Sequence, residues 1–154
     1  MKKYLIILFC LFTFSIYSAD ITESNQHSDY SAMLEDVQKT NKSVFLYITA
    51  PWCSPCNKLQ KEVINPLWAQ LQANHVCYVI NIQKETEISR IYQQQGLLPE
   101  LPAYYILDKG GKNILVRGFG NLDINDFIKW HNSAGKPPGE RPSYKEYKSH
   151  RSYG

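Results

Sequence analysis

Two cysteines, Cys53 and Cys56, are separated by two residues near the middle of the sequence, in the segment WCSPC at residues 52–56. An apolar run that ends at Thr49 precedes them, and a pattern of helical period begins at Ser54. At a helix start, unpaired backbone N–H groups and the positive end of the helix dipole favour the thiolate form of a cysteine. The spacing and its context therefore predict dithiol–disulfide exchange, in which Cys53 attacks and Cys56 resolves the mixed disulfide.

Three other kinds of site are compatible with a bare pair of cysteines. A structural zinc ion usually takes four ligands, and only His75 and Cys77 remain as further ligands, on a predicted buried strand. A purely structural disulfide across so short a loop would constrain the unfolded chain little. A protease-type cysteine needs a nearby histidine, and the sequence places none of the four histidines beside the pair. The context favours exchange chemistry, for which no metal or other cofactor is expected.

Hydrophobic periodicity predicts the elements that position the two cysteines. Asn65 is a good N-cap and Pro66 fits a first helical turn, so the helix after the cysteines is expected to stop there and a new one to start. The predicted order is a helix, then a parallel strand–helix–strand unit, then a hairpin and a covering helix. This order predicts an α/β fold with a mixed central sheet of about four strands flanked by helices. Strands are predicted at 44–49, 76–82, 103–107 and 114–119, and helices at 31–40, from 54, at 67–72, 86–95 and 123–131.

Residues 50–56 (APWCSPC), with a strand before them and Leu101-Pro102-Ala103 about 45 residues later, resemble thioredoxin and the exported thioredoxin-like interchange proteins. The resemblance covers residues 31–132. It implies a thioredoxin-like fold and a thiol:disulfide oxidoreductase that acts on protein thiols and disulfides.

The resemblance also implies a substrate-binding surface beside the dithiol. In the family, the proline that matches Pro102 is cis, and the residue before it, here Leu101, pairs with the substrate backbone. Pro99 is the competing candidate for the cis proline. Trp52 is implied to contribute to the substrate surface, with a packed aromatic residue as the alternative.

One position departs from the family pattern. Thioredoxin has a buried aspartate on the strand before the cysteines, and the matching residue here is Tyr47, which is a poor base because a tyrosine has a pKa near 10. The resolving step is therefore expected to use water or to be slow. Ser54-Pro55 is closer to the Gly-Pro of reducing thioredoxins than to the Pro-His of oxidising relatives, which favours reduction. The alternative function is a thioredoxin-fold binding module of an envelope assembly, with little or no redox turnover.

Residues 1–19 have the layout of a secretory signal peptide. Lys2 and Lys3 supply positive charge, an apolar run from Tyr4 to Phe14 follows, and small and polar residues lead to Ala19. The run is shorter than the roughly 20 residues of a membrane-spanning helix, although an uncleaved anchor and a buried helix remain alternatives. The protein is therefore expected to be exported, periplasmic or otherwise extracytoplasmic, and membrane-anchored if the signal is retained. A reductant in that compartment needs a membrane-bound redox partner that supplies electrons.

The sequence after residue 134 has no periodic apolar face to bury, which predicts a domain at residues 20–134 and a flexible, basic, tyrosine-rich tail at residues 135–154. The domain has ten basic and twelve acidic side chains, a net charge of −2, and the tail has five and two, a net charge of +3. A nearly neutral domain predicts no nucleic-acid surface. An isomerase would need dimerisation or a further domain, and a monomer is expected here. Cys77 is expected to be a small buried residue, with a regulatory thiol as the alternative.

Overall fold

The computed structural model describes residues 30–84, 87–98 and 100–141. The predicted signal peptide and residues 142–154 of the predicted tail lie outside these ranges. In the described part of the chain, no helix is long and apolar enough to cross a membrane. The elements are α1 (Tyr30–Thr40), β1 (Ser43–Thr49), α2 (Ser54–Leu59), a π-helix (Gln60–Ile64), α3 (Asn65–Asn74), β2 (His75–Asn81), a 3₁₀ turn (Ile82–Lys84), α4 (Glu87–Gln94), β3 (Ala103–Leu107), β4 (Ile114–Phe119), α5 (Ile124–Ser133) and a second 3₁₀ turn (Pro138–Glu140).

The four strands form one mixed sheet in the order β2-β1-β3-β4, which confirms the predicted fold class. β1 and β2 are parallel, whereas β3 is antiparallel to both β1 and β4. In the parallel pair, Ser43 lies opposite His75 at the amino-terminal end and Thr49 lies opposite Asn81 at the carboxyl end. The two ends of the sheet are named here after the parallel strands β1 and β2. The cysteines follow β1 at the carboxyl end, and the opposite end is the amino-terminal end.

Alternate residues of β1 face two separate apolar cores, because successive side chains of a strand point to opposite sides of the sheet. Helices cover both cores, as expected for strands whose residues are nearly all apolar. The first core, under α1 and α4, contains Met33, Val37, Val44, Leu46, Ile48, Ile88 and Tyr92. The second, under the helices that follow the cysteines and α5, contains Phe45, Tyr47, Leu59, Val63, Trp68, Phe127 and Trp130.

The helix after the cysteines does not restart at Asn65, and this prediction was wrong. α2, the π-helix and α3 follow one another without a gap, and the backbone N–H of Asn65 donates to the carbonyl of Gln60, five residues earlier. Pro66 has no N–H to donate, and in a regular α-helix its ring would clash with the carbonyl four residues back. The wider π turn directly before Pro66 lets the helix continue while Val63 and Ile64 stay in the core.

Two predicted helix ends are confirmed. α4 is followed by Gly96, whose φ of +67° is the left-handed conformation that glycine adopts at least cost. α5 begins after Asp123, whose side chain accepts hydrogen bonds from the backbone N–H groups of Asn125 and Asp126, both at 2.9 Å. These signals are local in the sequence, which is why they could be read from it.

The first residues of the predicted tail lie against the domain. The Nη1 of Arg141 donates to the carbonyl of Leu115, next to the core residue Val116 of β4, at 3.2 Å, and its Nε donates to the carbonyl of Lys136 at 2.7 Å. The 3₁₀ turn Pro138–Glu140 lies in the chain between Lys136 and Arg141. The chain is therefore held to the domain as far as Arg141.

Candidate active site

Cys53 and Cys56 form a disulfide at the start of the long helix, with an S–S distance of 2.07 Å and a Cα–Cα distance of 5.2 Å. Cys53 is the N-cap residue of α2, with extended backbone angles, and its sulfur accepts a hydrogen bond from the backbone N–H of Cys56 at 3.2 Å. An N–H group directed at a sulfur stabilises the thiolate once the bond is reduced. The predicted position of the pair, after a buried strand and at a helix start, is confirmed.

The two cysteines differ in their access to solvent. Cys53 is 4% exposed and faces the groove described below, whereas Cys56 is 0% exposed. Both pack against Ala50, with Ile82 and Leu101 beside them. Of the two cysteines, Cys53 is therefore the one that borders the groove.

The peptide bond between Leu101 and Pro102 is cis, as the resemblance implied. Pro99, the competing candidate, lies outside the described residues. Pro102 is buried, and its carbonyl accepts a hydrogen bond from the N–H of Gly120 at 2.7 Å, which ties this loop to the end of β4. Leu101 is only partly buried and packs against the cysteines, so its backbone lies at the rim of the dithiol site.

A groove of about 530 Å³ runs beside the disulfide. Trp52 is 69% exposed and is the one large apolar side chain that is exposed in the described ranges, which contradicts the alternative of a packed aromatic residue. An exposed indole beside a reactive sulfur is suited to contact a partner protein. The groove is lined by Trp52, Cys53, Ser54, Pro55, Ile82, Gln93, Leu98, Glu100 and Leu101.

Four of these lining residues were not singled out by sequence reasoning. Leu98 and Glu100 lie close before the cis proline and could have been found by extending that segment. Ile82 begins the 3₁₀ turn that follows β2, and Gln93 belongs to α4; no local pattern connects either residue with the cysteines. Only the sheet topology brings them to the groove.

Tyr47 lies directly behind the disulfide. Its side chain is fully buried, and its hydroxyl donates a hydrogen bond to the carbonyl of Cys56 at 2.9 Å. Burial raises the pKa of Tyr47 well above its usual range, because the phenolate would lose its hydration. The tyrosine therefore stays protonated and holds the backbone of Cys56, and it cannot accept the proton of the Cys56 thiol.

Cys77 and His75 are not brought to the cysteine pair. Both lie in the first half of β2, and the backbone register places His75 at the amino-terminal end of the sheet. Cys77 is half-buried instead of fully buried as predicted, because β2 is the edge strand of the sheet. Burial nevertheless raises the pKa of the Cys77 thiol to about 12. His75 instead contacts His131 of α5.

Comparisons with known proteins agree with this architecture. The sequence model of a family described as Thioredoxin-like matches residues 24–109. Among solved structures, a thioredoxin from Thermus thermophilus superposes with a TM-score of 0.59 at 18% identity, covering 81% of this chain and 95% of that one. A DsbH oxidoreductase gives 0.54 at 20% identity, with 71% and 84% covered, and the thioredoxin NaTrxh from Nicotiana alata gives 0.52 at 20% identity, with 68% and 85% covered. No curated protein sequence matches this chain.

Proposed function

The chain belongs to the thioredoxin-like family, and on that premise we propose that it is a thiol:disulfide oxidoreductase that exchanges disulfides with protein substrates. The observation that carries the proposal is the Cys53–Cys56 disulfide at a helix start, at the base of a groove and beside a cis proline. A disulfide in a purely structural role would need neither the groove nor the exposed Trp52.

The reduced protein acts in two exchange steps. The Cys53 thiolate attacks one sulfur of a substrate disulfide, a mixed disulfide forms, and the other substrate sulfur leaves as a thiolate. The Cys56 thiolate then attacks the Cys53 sulfur, which releases the second substrate thiol and closes the Cys53–Cys56 disulfide. The substrate gains two electrons and the enzyme loses two. The assignment of the roles is supported by exposure, since Cys53 faces the groove and Cys56 is enclosed.

Trp52, Leu101 and Pro102 form the substrate-binding part of the groove in this proposal. Trp52 offers an exposed apolar surface, and Leu101 offers the backbone that precedes the cis proline. Because most of the side chains along the groove are apolar, an apolar segment next to the substrate cysteine fits it best.

Reduction is the proposed direction, and it is supported by Ser54-Pro55 between the cysteines, where strongly oxidising relatives have a histidine. The proposed place of action is outside the cytoplasm, on the strength of the signal-like residues 1–19. There the protein acts as a monomer and receives electrons from a membrane-bound redox partner.

Reduction of insulin by the protein, with dithiothreitol as the electron donor that regenerates the dithiol, tests the proposed activity and is followed through precipitation of the released chain. Cys53→Ser is expected to abolish it, and Cys56→Ser is expected to accumulate a mixed disulfide between Cys53 and the substrate. Activity unchanged by Cys53→Ser would remove Cys53 from its role.

The second candidate is a thioredoxin-fold binding module of an envelope assembly. Tyr47 favours it, because this buried hydroxyl cannot take the proton of Cys56. Capture of the same single partner by the wild type and by a variant with both Cys53 and Cys56 replaced by serine would support the binding module. Loss of that capture in the double variant would support the exchange enzyme.

A further inference from the structure

One wall of the groove beside Cys53 belongs to no regular element. We call this wall the groove rim, and it consists of Leu97, Leu98, Glu100 and Leu101, which precede the cis proline. The last three of these residues line the groove. None of the four lies in a helix or a strand, so the regular hydrogen bonds of such elements do not fix the rim. Its position relative to Cys53 therefore depends on contacts with other parts of the fold.

The backbone of Leu97 is held through both of its polar groups. Its N–H donates a hydrogen bond to the carbonyl of Tyr92 in α4 at 2.8 Å, and its carbonyl accepts a hydrogen bond from the hydroxyl of Tyr105 in β3. After the rim, the carbonyl of Pro102 accepts a hydrogen bond from the N–H of Gly120 at 2.7 Å. The Tyr105 hydroxyl therefore joins the start of the rim to the central sheet.

Tyr105 is itself fixed by its surroundings. It is fully buried on an inner strand, opposite Leu46 of β1 and Arg117 of β4. Its ring packs edge-on against the rings of Tyr92 and Phe119, with centroid distances of 5.0 and 5.9 Å. Burial raises the pKa of Tyr105 well above its usual range, so the hydroxyl keeps its proton and remains a donor at neutral pH. Because the ring is held by its neighbours, the hydroxyl sets the position of the carbonyl that it bonds.

We propose that Tyr105 is a positioning residue for substrate binding: its hydroxyl holds the Leu97 carbonyl and so keeps the groove rim in place beside Cys53. The inference rests on the proposed function, in which the groove binds the protein substrate. Tyr105 is not among the residues that line the groove, so it acts through the rim and not on the substrate. A rim that is free to shift would bind a protein segment more weakly, because binding would then have to order the rim.

The reactivity of Cys53 is expected to be independent of this hydroxyl. The hydrogen bond to the Cys53 sulfur comes from the N–H of Cys56 within α2. α2 packs into the second core through Leu59, whereas Tyr105 belongs to the first core. Loss of the Tyr105 hydroxyl should therefore weaken the binding of protein partners and leave the attack of the Cys53 thiolate on a small disulfide unchanged.

Tyr78 provides a matched control in the same core. It is also fully buried, and its hydroxyl donates a hydrogen bond to the Oδ2 of Asp36 in α1 at 2.6 Å. Neither Tyr78 nor Asp36 lines the groove. Tyr105→Phe and Tyr78→Phe each remove one hydroxyl and keep the ring, but only the first removes a bond to the rim. A purely structural role for Tyr105 would give the two variants the same properties.

Hydrogen exchange of backbone amides tests whether the hydroxyl holds the rim. The rates are measured by NMR on the full, ¹⁵N-labelled protein with its active-site disulfide intact. Tyr105→Phe is expected to speed hydrogen exchange at Leu97 by about fivefold or more, and Tyr78→Phe by less than about twofold. The amide of Leu46 in β1 reports opening of the whole domain. Acceleration at Leu46 by the same factor as at Leu97 would mean that the rim opens only with the domain, which would overturn the proposal.

Insulin reduction, with dithiothreitol as the electron donor, tests whether the rim serves substrate binding. Tyr105→Phe is expected to raise KM for insulin by about threefold to tenfold and to leave kcat within about twofold of wild type. Its rate with oxidised glutathione should also stay within about twofold of wild type, since this small disulfide spans little of the groove. Tyr78→Phe is expected to keep the wild-type KM for insulin.

Three further results would overturn the proposal. They are a change of less than about twofold in hydrogen exchange at Leu97 in Tyr105→Phe, an unchanged KM in that variant despite faster hydrogen exchange, and equal rises in KM in Tyr105→Phe and Tyr78→Phe. A wild type that does not reduce insulin would contradict the proposed function instead. The hydrogen-exchange rates would in that case still decide whether Tyr105 holds the rim.

Discussion

Cys53 and Cys77 present the same thiol chemistry in two different environments of one domain. The sulfur of Cys53 lies at a helix start, accepts a backbone hydrogen bond and borders a groove. The sulfur of Cys77 lies on an edge strand, where burial raises the pKa of its thiol to about 12. The comparison teaches that the backbone and the solvent around a cysteine decide whether it reacts, because only the thiolate is a nucleophile.

Replacing each cysteine in turn gives the largest expected difference between the two environments. Cys53→Ser is expected to reduce turnover of protein disulfides to the uncatalysed level, since the nucleophile is lost. Cys77→Ser is expected to keep wild-type turnover. The rate of insulin reduction by each purified variant measures this, and equal losses in the two variants would contradict the comparison.

Alkylation rates of the reduced protein sharpen the same contrast. With a pKa of about 12, the Cys77 thiol is protonated at pH 8, and its reaction with iodoacetamide is expected to be roughly a thousandfold slower than that of an ordinary cysteine. Its rate should rise about tenfold per pH unit from pH 8 to 11, because the thiolate fraction rises in that proportion below the pKa.

Quenched labelling with mass analysis of the peptides follows Cys53 and Cys77 separately. The alkylation of Cys53 is expected to be fast. Its rate is expected to become independent of pH at a lower pH than the rate of Cys77. A Cys77 rate equal to that of Cys53 at pH 8 would show that burial does not protect it.

Substitution of Trp52 tests whether the groove beside Cys53 contributes to substrate binding, in addition to the reactive sulfur. Cys77 does not line this groove. Trp52→Ala is expected to raise KM for a protein disulfide by about threefold to tenfold, since an exposed aromatic contact is lost. The free energy of unfolding should change by no more than about 0.5 kcal/mol, because the side chain is largely solvent-exposed. Steady-state kinetics and urea unfolding measure the two effects.

A small disulfide such as oxidised glutathione provides the control substrate for Trp52→Ala, since it spans little of the groove. Its rate of reduction is expected to stay within about twofold of wild type. An equal loss for the small and the protein substrate would mean that Trp52 acts on the cysteines and not on the partner.

Tyr47 carries the smallest expected effect. Tyr47→Phe removes the hydroxyl that donates to the Cys56 carbonyl, which keeps its hydrogen bond from the N–H of Gln60, and the lost bond is expected to lower the free energy of unfolding by about 1 kcal/mol. The pH dependence of the resolving step should be unchanged, because a tyrosine with a raised pKa is not the base. Urea unfolding and stopped-flow measurements across pH 6–9 test both statements, and a shifted pH profile would assign the proton transfer to Tyr47.

The elements that position the cysteines were readable from the sequence because their signals are local. The apolar run of β1, the glycine after α4 and the Asp123 cap each act within a few residues. The cis bond at Pro102 was less accessible, since two prolines in one segment were candidates, and the second was favoured by the resemblance and by the predicted strand that begins after it.

Other features depend on contacts between distant parts of the chain. Asn65-Pro66 has the sequence of a helix start. The helix nevertheless continues through these two residues, because Val63 and Ile64 directly before them are buried in the core. Ile82 and Gln93 reach the groove only through the sheet order. His75 and His131 are 56 positions apart, and no periodic signal marks two such residues as neighbours.

The equilibrium of the Cys53–Cys56 couple with glutathione tests whether these two cysteines exchange electrons reversibly. The protein is incubated in buffers of graded ratios of reduced to oxidised glutathione, quenched with an alkylating reagent and analysed by mass. We expect complete, reversible passage between disulfide and dithiol at these two cysteines, with a potential below that of the glutathione couple. A pair that is never reduced, or is never reoxidised once reduced, would contradict it.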